Sequence, residues 1–287
     1  MDSRTVLKNE YLTVEISTMG AELTSILDRD NLERLWQRDS NWWNGQAPLL
    51  FPVCGCMNES RYLYNGKSYT ISPHGFARKS VFTLESADKT KAVYLLKSDS
   101  ETLKVYPFLF ELRVIYEIIE NKILVTYCVS NKTDGEMYFS IGSHEAYSCK
   151  GKTEDYKIFF ENNEPLINHL LEGPLLTDKT EAKELNDGAL TFTDEEFERL
   201  DTFIFLNTQS KRVTLKGDNS DKTISVEFPG MDNLLIWKKP GAEFLCIEPW
   251  CGLPDYVGEV GEISEKPAIN KLEKDGVFER THTIIID

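Results

Sequence analysis

The chain has 287 residues, with 47 Asp and Glu against 32 Lys and Arg, a formal net charge of −15 and a hydrophobic fraction of 41%. This composition is typical of a globular protein, and a chain of this length can bury a large core without disulfides or structural metals. The acidic balance argues against nucleic acid or an anionic membrane surface as a partner, because both require clustered Lys and Arg.

Apolar and polar residues alternate along much of the chain, and this period of two predicts β-strands. The segments concerned are rich in Thr, Val, Ile, Tyr and Phe, whereas helical patterns are scarce. About fourteen strands at short spacing favour a large all-β sandwich over repeated β-α-β units. The predicted strands cover residues 11–17, 79–85, 92–97, 110–118, 123–129, 137–141, 157–160, 190–192, 202–206, 212–216, 223–228, 233–238, 243–248 and 277–286.

The clearest strand signal is residues 110–118, where every second residue is apolar. Turn sequences at residues 120–122 and 133–136 predict two consecutive antiparallel hairpins around it. One short helix is predicted over residues 193–200, because Thr193 can cap its N-terminus and acidic residues fill its first turn.

The sequence shows neither a linker nor an export signal. No Ser-, Gly- or Pro-rich segment divides the chain, so we expect a single domain over residues 1–287. Residues 1–16 lack the basic start and apolar run of a secretory signal, so we expect a cytoplasmic protein. Residues 40–58 are uncharged but contain Pro, Gly, Asn and Gln, so we expect no membrane span.

The six cysteines are expected to be free thiols, because a reducing compartment disfavours disulfides. Their spacing lacks the paired Cys-x-x-Cys or Cys/His pattern of a zinc site, so we expect no metal. These residues are Cys54, Cys56, Cys128, Cys149, Cys246 and Cys251.

One carboxylate interrupts a long uncharged, apolar segment. Glu248 is the only charged residue between Phe244 and Pro254, and it lies beside Pro249 and Trp250. Poor solvation raises the pKa of a carboxylic acid, which suits proton transfer near neutral pH. The alternative is a Glu paired with Arg or Lys in a corner of the sandwich.

Two of the four histidines lie in loops shaped by glycine. His74 lies in a Pro-His-Gly sequence, and His144 follows an apolar strand close to a glycine. Imidazole titrates near neutral pH and suits general acid or base work, with a structural role as the alternative for both. His169 and His282 lack such surroundings and are expected to be structural.

Asp201 precedes an apolar strand, where it either contributes to a site or caps a turn after the short helix. Tryptophans either face a sugar ring or pack in the core, and with residues 40–58 they fit a pocket for a neutral polyhydroxyl compound. The candidate site residues are two histidines, one Glu and one Asp, and the sequence has no nucleophile, phosphate-loop or dinucleotide-binding motif. This combination predicts acid–base chemistry. The tryptophans are Trp36, Trp42, Trp43, Trp237 and Trp250.

Six short motifs occur in order along nearly the whole chain, at residues 22–26, 47–53, 74–78, 143–144, 201–205 and 246–250. With these motifs the chain resembles the aldose 1-epimerase (galactose mutarotase-like) family, in its LacX-type branch. The resemblance implies a many-stranded antiparallel β-supersandwich, in agreement with the all-β pattern. It also implies an isomerase that needs no cofactor and acts on a small sugar, an aldohexose or its phosphate, as a monomer or homodimer.

The resemblance further implies roles for individual residues. Glu248 would be the general base that takes the proton of the anomeric hydroxyl, and His144 the general acid that protonates the ring oxygen. The ring then opens, the aldehyde rotates about C1–C2, and reclosure gives the other anomer. His74 and Asp201 would position the sugar, and Trp237 is the tryptophan assigned to binding it.

One position departs from the family pattern. Many relatives carry Phe-Pro-x-x-Gly-Arg, whereas residues 51–56 here end in Cys56. The expected substrate-contacting arginine is therefore missing, and Arg78 or Arg61 is the candidate to replace it.

Two other functions remain open. A non-catalytic carbohydrate-binding or regulatory module on the same fold would bind sugar without accelerating anomer exchange. A glycosidase using Asp201 and Glu248 as its carboxyl pair would release the leaving group of an aryl glycoside.

Overall fold

The computed structural model describes residues 3–218 and 221–287, and most of its regular structure is β-strand. The first twelve strands are β1 (Arg4–Lys8), β2 (Thr13–Ser17), β3 (Leu23–Leu27), β4 (Arg61–Tyr64), β5 (Lys67–Thr70), β6 (Thr83–Ala87), β7 (Lys91–Lys97), β8 (Phe110–Ile119), β9 (Lys122–Asn131), β10 (Met137–Phe139), β11 (Ile141–Gly142) and β12 (Glu145–Ser148). The others are β13 (Tyr156–Phe160), β14 (Leu166–Glu172), β15 (Leu175–Lys183), β16 (Ala189–Leu190), β17 (Thr202–Phe205), β18 (Arg212–Gly217), β19 (Thr223–Glu227), β20 (Asn233–Trp237), β21 (Phe244–Cys251), β22 (Asn270–Leu272) and β23 (Val277–Ile286).

Helices are few and short. They are α1 (Thr102–Val105) and α2 (Asp194–Leu200), with 3-10 turns at Asn58–Ser60, Ala77–Lys79, Thr153–Asp155 and Ile263–Glu265. The predicted helix is confirmed as α2, where the Thr193 side chain accepts the Glu196 N–H and the Glu196 carboxylate accepts the Thr193 N–H. Over the described residues, no helix is long and apolar enough to cross a membrane.

Two large antiparallel sheets form the body of the fold. The first has nine strands in the order β16-β13-β18-β19-β23-β9-β8-β7-β6, and the second has seven in the order β11-β21-β20-β17-β14-β15 with β12 also paired to β21. One continuous cluster of buried side chains includes Val114 and Val125 of the first sheet and Phe203 and Ile236 of the second. The all-β class predicted from the sequence is thereby confirmed.

The strand predictions succeeded where the alternation is strong. Residues 110–118 form β8, with every second residue buried, and pair with β9 in the predicted hairpin. The second predicted hairpin is wrong. Residues 137–141 split into β10, which pairs with β22, and β11, which pairs with β21, because a break at Ser140 redirects the chain to the other sheet.

Several strands were not predicted, because their sequences do not alternate cleanly. β14 and β15 form a long hairpin whose register shifts between His169 and Leu171, and much of β15 is exposed. The strand expected at residues 79–85 begins only at Thr83, after the 3-10 turn Ala77–Lys79. The unpredicted strands are β1, β3, β4, β5, β12, β14, β15 and β22.

Candidate active site

Neighbouring strands bring His144 and Glu248 together. Gly142 of β11 lies opposite Trp250 of the antiparallel strand β21. His144, two residues after Gly142, therefore lies opposite Glu248, two residues before Trp250. Nδ1 of His144 is 3.3 Å from Oε1 of Glu248, and the two side chains are only 11% and 2% exposed. Two titratable groups from distant parts of the sequence thus form one buried pair.

Aromatic rings surround this pair. The Trp43 ring stacks on His144 with centroids 5.0 Å apart and planes 24° apart, and Trp237 meets the same imidazole edge-on at 5.5 Å. Phe244 lies 5.5 Å from each of these two tryptophans. Nε1 of Trp36 donates to the Trp43 carbonyl at 3.0 Å and holds the loop in place. The polar pair therefore lies against an apolar wall that excludes much of the solvent.

His74 enters the site from the loop after β5. Its Nδ1 accepts the backbone N–H of Gly55 at 3.2 Å, so the neutral imidazole carries its proton on Nε2. Its ring centroid lies 5.7 Å from that of His144. A Cβ on Gly75 would lie 2.2 Å from the Phe51 carbonyl oxygen, at a φ of +69°, so the loop requires glycine here.

Arg78 lies in the 3-10 turn behind His74. Its Nη2 donates to the Pro73 carbonyl at 2.8 Å, while its Nε is buried and has no hydrogen-bond partner within residues 3–218 and 221–287. Its positive charge contributes to the lowered pKa of both His74 and His144. Arg61, the other candidate, is 45% exposed and pairs with Glu59. Of the two arginines, Arg78 is the one whose charge acts on the site.

Asp201 is the C-cap residue of α2, with a φ of 62° and an exposed side chain. Its N–H donates to the Phe197 carbonyl at 2.9 Å, which is the capping geometry weighed for it from the sequence. Its negative charge also contributes to the raised pKa of Glu248. Asp201 therefore lies at the margin of the site, and its charge acts on the buried carboxyl group of Glu248.

Burial dominates the electrostatics of the site. The pKa of Glu248 is raised well above its ordinary value, first by burial and then by nearby carboxylates. The pKa of His144 is lowered well below its ordinary value, again chiefly by burial, and that of His74 is lowered to about 3 by burial and the charge of Arg78. Each group is driven towards its neutral form, so burial favours a protonated carboxyl at Glu248 over an imidazolium at His144.

Two further residues of β21 belong to the site. Residues 246, 248 and 250 share one face of the strand, so Cys246 and Trp250 flank Glu248. Nε1 of Trp250 donates to the Ser143 carbonyl at 3.0 Å, and a Cβ on Gly142 would lie 2.5 Å from its ring. The sequence context predicts only a buried thiol at Cys246, although the spacing of two residues from Glu248 already places both side chains on one face of a strand.

The remaining histidines lie elsewhere. His282 on β23 is completely buried, with its Nε2 3.1 Å from Oε1 of Glu145. His169 is half-buried on β14. Neither contacts the pair formed by His144 and Glu248.

Comparisons of the sequence with known proteins identify one family and two relatives. A sequence model of the aldose 1-epimerase family matches residues 3–267. Two forms of protein LacX from Lactococcus lactis subsp. lactis, one plasmid and one chromosomal, are each 35% identical to this chain over 284 residues, which covers 93% of either sequence.

Solved structures agree with the fold. A galactose mutarotase related enzyme from Lactobacillus acidophilus has a TM-score of 0.94 at 28% identity, covering 99% of this chain and 97% of that one. A galactose mutarotase-like protein from Lactobacillus casei ATCC 334 has a TM-score of 0.93 at 26% identity, covering 99% and 100%. The galactose mutarotase-like architecture expected from the sequence motifs is confirmed.

Proposed function

The chain belongs to the aldose 1-epimerase family, and from that premise we propose that it interconverts the α and β anomers of a hexose by acid–base ring opening at Glu248 and His144. It is an isomerase of the mutarotase type.

The contact between His144 and Glu248 carries the proposal. Ring opening requires one group to take the proton of the anomeric hydroxyl while another gives a proton to the ring oxygen. Both oxygens are attached to the same carbon, so the two catalytic groups must be neighbours. Nδ1 of His144 and Oε1 of Glu248, 3.3 Å apart, satisfy this requirement.

The reaction then follows four steps. Glu248 as carboxylate removes the proton of the C1 hydroxyl, while His144 as imidazolium protonates the ring oxygen. The C1–O5 bond breaks and leaves an aldehyde at C1. Rotation about C1–C2 presents the other carbonyl face, and reclosure returns both protons. Positioned proton transfers of this kind contribute about 10²–10⁴-fold each.

The reactive form of the pair differs from its resting form only by the position of one proton. Burial favours protonated Glu248 and neutral His144. Transfer of that proton to His144 gives the carboxylate and imidazolium that the mechanism needs, with the net charge of the pair still zero. Hydroxyl groups of a bound sugar stabilise this charge-separated form, because they hydrogen-bond to both ions.

The surrounding residues suit the binding of a pyranose. Nε2 of His74 is a fixed donor for a sugar hydroxyl, and Trp237 and Trp43 offer apolar faces for the C–H side of the ring. Arg78, whose positive charge acts on both His74 and His144, takes the role of the arginine replaced by Cys56. Asp201 accepts a hydroxyl from the margin of the site.

We predict that Glu248→Gln and His144→Ala each reduce kcat by about 10²–10⁴-fold, because each removes one of the two proton transfers. Anomer exchange by NMR on a panel of aldohexoses and their 6-phosphates, measured above the spontaneous rate, tests this prediction and identifies the substrate. His169→Ala, outside the site, is the matched control and should retain the wild-type rate.

A wild-type rate for either site variant, with unchanged thermal unfolding, would show that the catalytic roles are misassigned.

The replacement of the expected arginine by Cys56 favours one second candidate, a carbohydrate-binding module without catalysis. That function predicts saturable sugar binding by calorimetry and no increase in exchange rate for any sugar of the panel.

A further inference from the structure

A thiol lies beside the buried acid–base pair. Cys246 precedes Glu248 by two residues on the same face of β21 and is completely buried. One ligand atom from each of His144, Cys246 and Glu248 lies within 4.8 Å of the other two. The proposed reaction uses only two of these groups and leaves the sulfur without a role.

The three donors match the ligands of one class of ion. Imidazole nitrogen, thiolate sulfur and carboxylate oxygen together suit Zn²⁺ and similar borderline metals, whereas Mg²⁺ and Ca²⁺ require sets of oxygen ligands. Two ligand atoms on a tetrahedral zinc lie about 3.4 Å apart, given Zn–N and Zn–O distances near 2.1 Å. The 3.3 Å separation of Nδ1 of His144 from Oε1 of Glu248 is close to this value.

One observation and one argument from charge balance further favour a cation here. Nδ1 of His144 has no hydrogen-bond partner among the described residues, although its residue is only 9% exposed. A divalent ion with one thiolate, one carboxylate and one neutral imidazole forms a complex of zero net charge. Such a complex avoids leaving an uncompensated charge in a site with little water.

We propose that the cleft binds one Zn²⁺-class ion through Nδ1 of His144, Sγ of Cys246 and the carboxylate of Glu248, and that the ion and the sugar exclude each other. Binding displaces the Cys246 thiol proton and the Glu248 carboxyl proton to solvent. A water completes the fourfold coordination, as in other zinc sites with three protein ligands. Ion binding stands independently of the proposed function, whereas the competition with sugar rests on it.

Chelator-treated full-length protein is titrated with Zn²⁺ by calorimetry and with Co²⁺ by absorption spectroscopy, in both cases without sugar. We expect one equivalent to bind and the Co²⁺ complex to show a thiolate-to-metal charge-transfer band. Cys246→Ser should remove that band and weaken binding by at least about 10–100-fold, since even outer-shell partners contribute that much. Cys251→Ser is the matched control on the opposite face of the same strand and should bind like wild type.

No ion uptake by the wild-type protein, or equal affinity in Cys246→Ser and wild type, would overturn the proposed ion site. Anomer exchange is then measured with and without Zn²⁺, and we expect inhibition of wild type that Cys246→Ser largely escapes. Tight ion binding without inhibition of anomer exchange would overturn only the proposed competition between the ion and the sugar. Ion binding in a protein that shows no exchange activity with chelator present would refute the proposed function and leave the ion site standing.

Discussion

The side chains of His144 and Glu248 lie 3.3 Å apart in surroundings that penalise a net charge on the pair. Trp43 contributes to this effect, because its ring covers the imidazole at 5.0 Å. Adding a proton or removing it would leave a net charge in the cleft. Burial therefore lowers the pKa of His144 and raises the pKa of Glu248, which opposes both the gain of a second proton by the pair and the loss of its first.

The pH dependence of kcat/KM tests this account at the scale of the residue. We expect no acid limb near pH 6.5, where an ordinary histidine would titrate, because the pKa of His144 is well below that value. In Trp43→Ala, water reaches the imidazole and the acid limb should move up towards 6.5. Exchange rates measured between pH 5 and pH 8 compare the two proteins. An acid limb at 6.5 in the wild type would contradict the lowered pKa of His144.

At the scale of the secondary-structure element, the first residue of β12 and the residue before it point to opposite faces of the sheet. His144 points to the cleft, whereas Glu145 points into the core, where its Oε1 is 3.1 Å from Nε2 of His282 on β23. Both partners are nearly or fully buried, with exposed fractions of 4% and 0%. Since β12 and β23 belong to different large sheets, this contact joins the two layers directly behind the site.

Removal of one partner should be more harmful than removal of both. His282→Leu leaves Glu145 buried without its partner and should lower the free energy of unfolding by about 1–3 kcal/mol. The double variant with Glu145→Leu should recover much of that loss, because it leaves no unpaired polar group. Urea unfolding of the two single variants and the double variant measures the coupling. Additive losses would show that the two side chains do not stabilise the fold as a pair.

At the scale of the whole molecule, the two buried histidines of the cleft link stability to pH. Each is neutral in the folded protein and protonated in the unfolded chain below about pH 6.5. The unfolded state therefore binds more protons, and stability falls as the pH falls below 6.5. For His74 the loss continues down to about pH 3. The raised pKa of Glu248 acts with the opposite sign, since its stabilising proton is lost as the pH rises.

A comparison of wild type with His74→Gln isolates one of these contributions. Between pH 6.5 and pH 4 the variant should lose stability less steeply than wild type, by at most about 1.4 kcal/mol per pH unit. Guanidinium unfolding at several pH values provides the measurement. Equal slopes for the two proteins would show that His74 is protonated in the folded state.

Local sequence determined the elements whose signals are themselves local. Alternation of side chains along residues 110–118 is a property of neighbouring residues, so β8 and its hairpin with β9 followed from it. The N-cap of α2 likewise depends on Thr193 and Glu196, only three residues apart. Glu248 and the two cleft histidines were proposed from local features too, an isolated charge and glycine-shaped loops.

Tertiary structure decided what depends on long-range pairing. The register of β21 against its neighbours sets His144 opposite Glu248, and it also brings Cys246 to the same pair. The partner of β10 was mispredicted for a related reason, since a strand's own alternation does not specify which distant strand it will join. The burial of His144 depends on the rings of Trp43 and Trp237, which are each about a hundred residues away from it along the chain. Only the folded chain therefore determines this burial, and with it the protonation of the site.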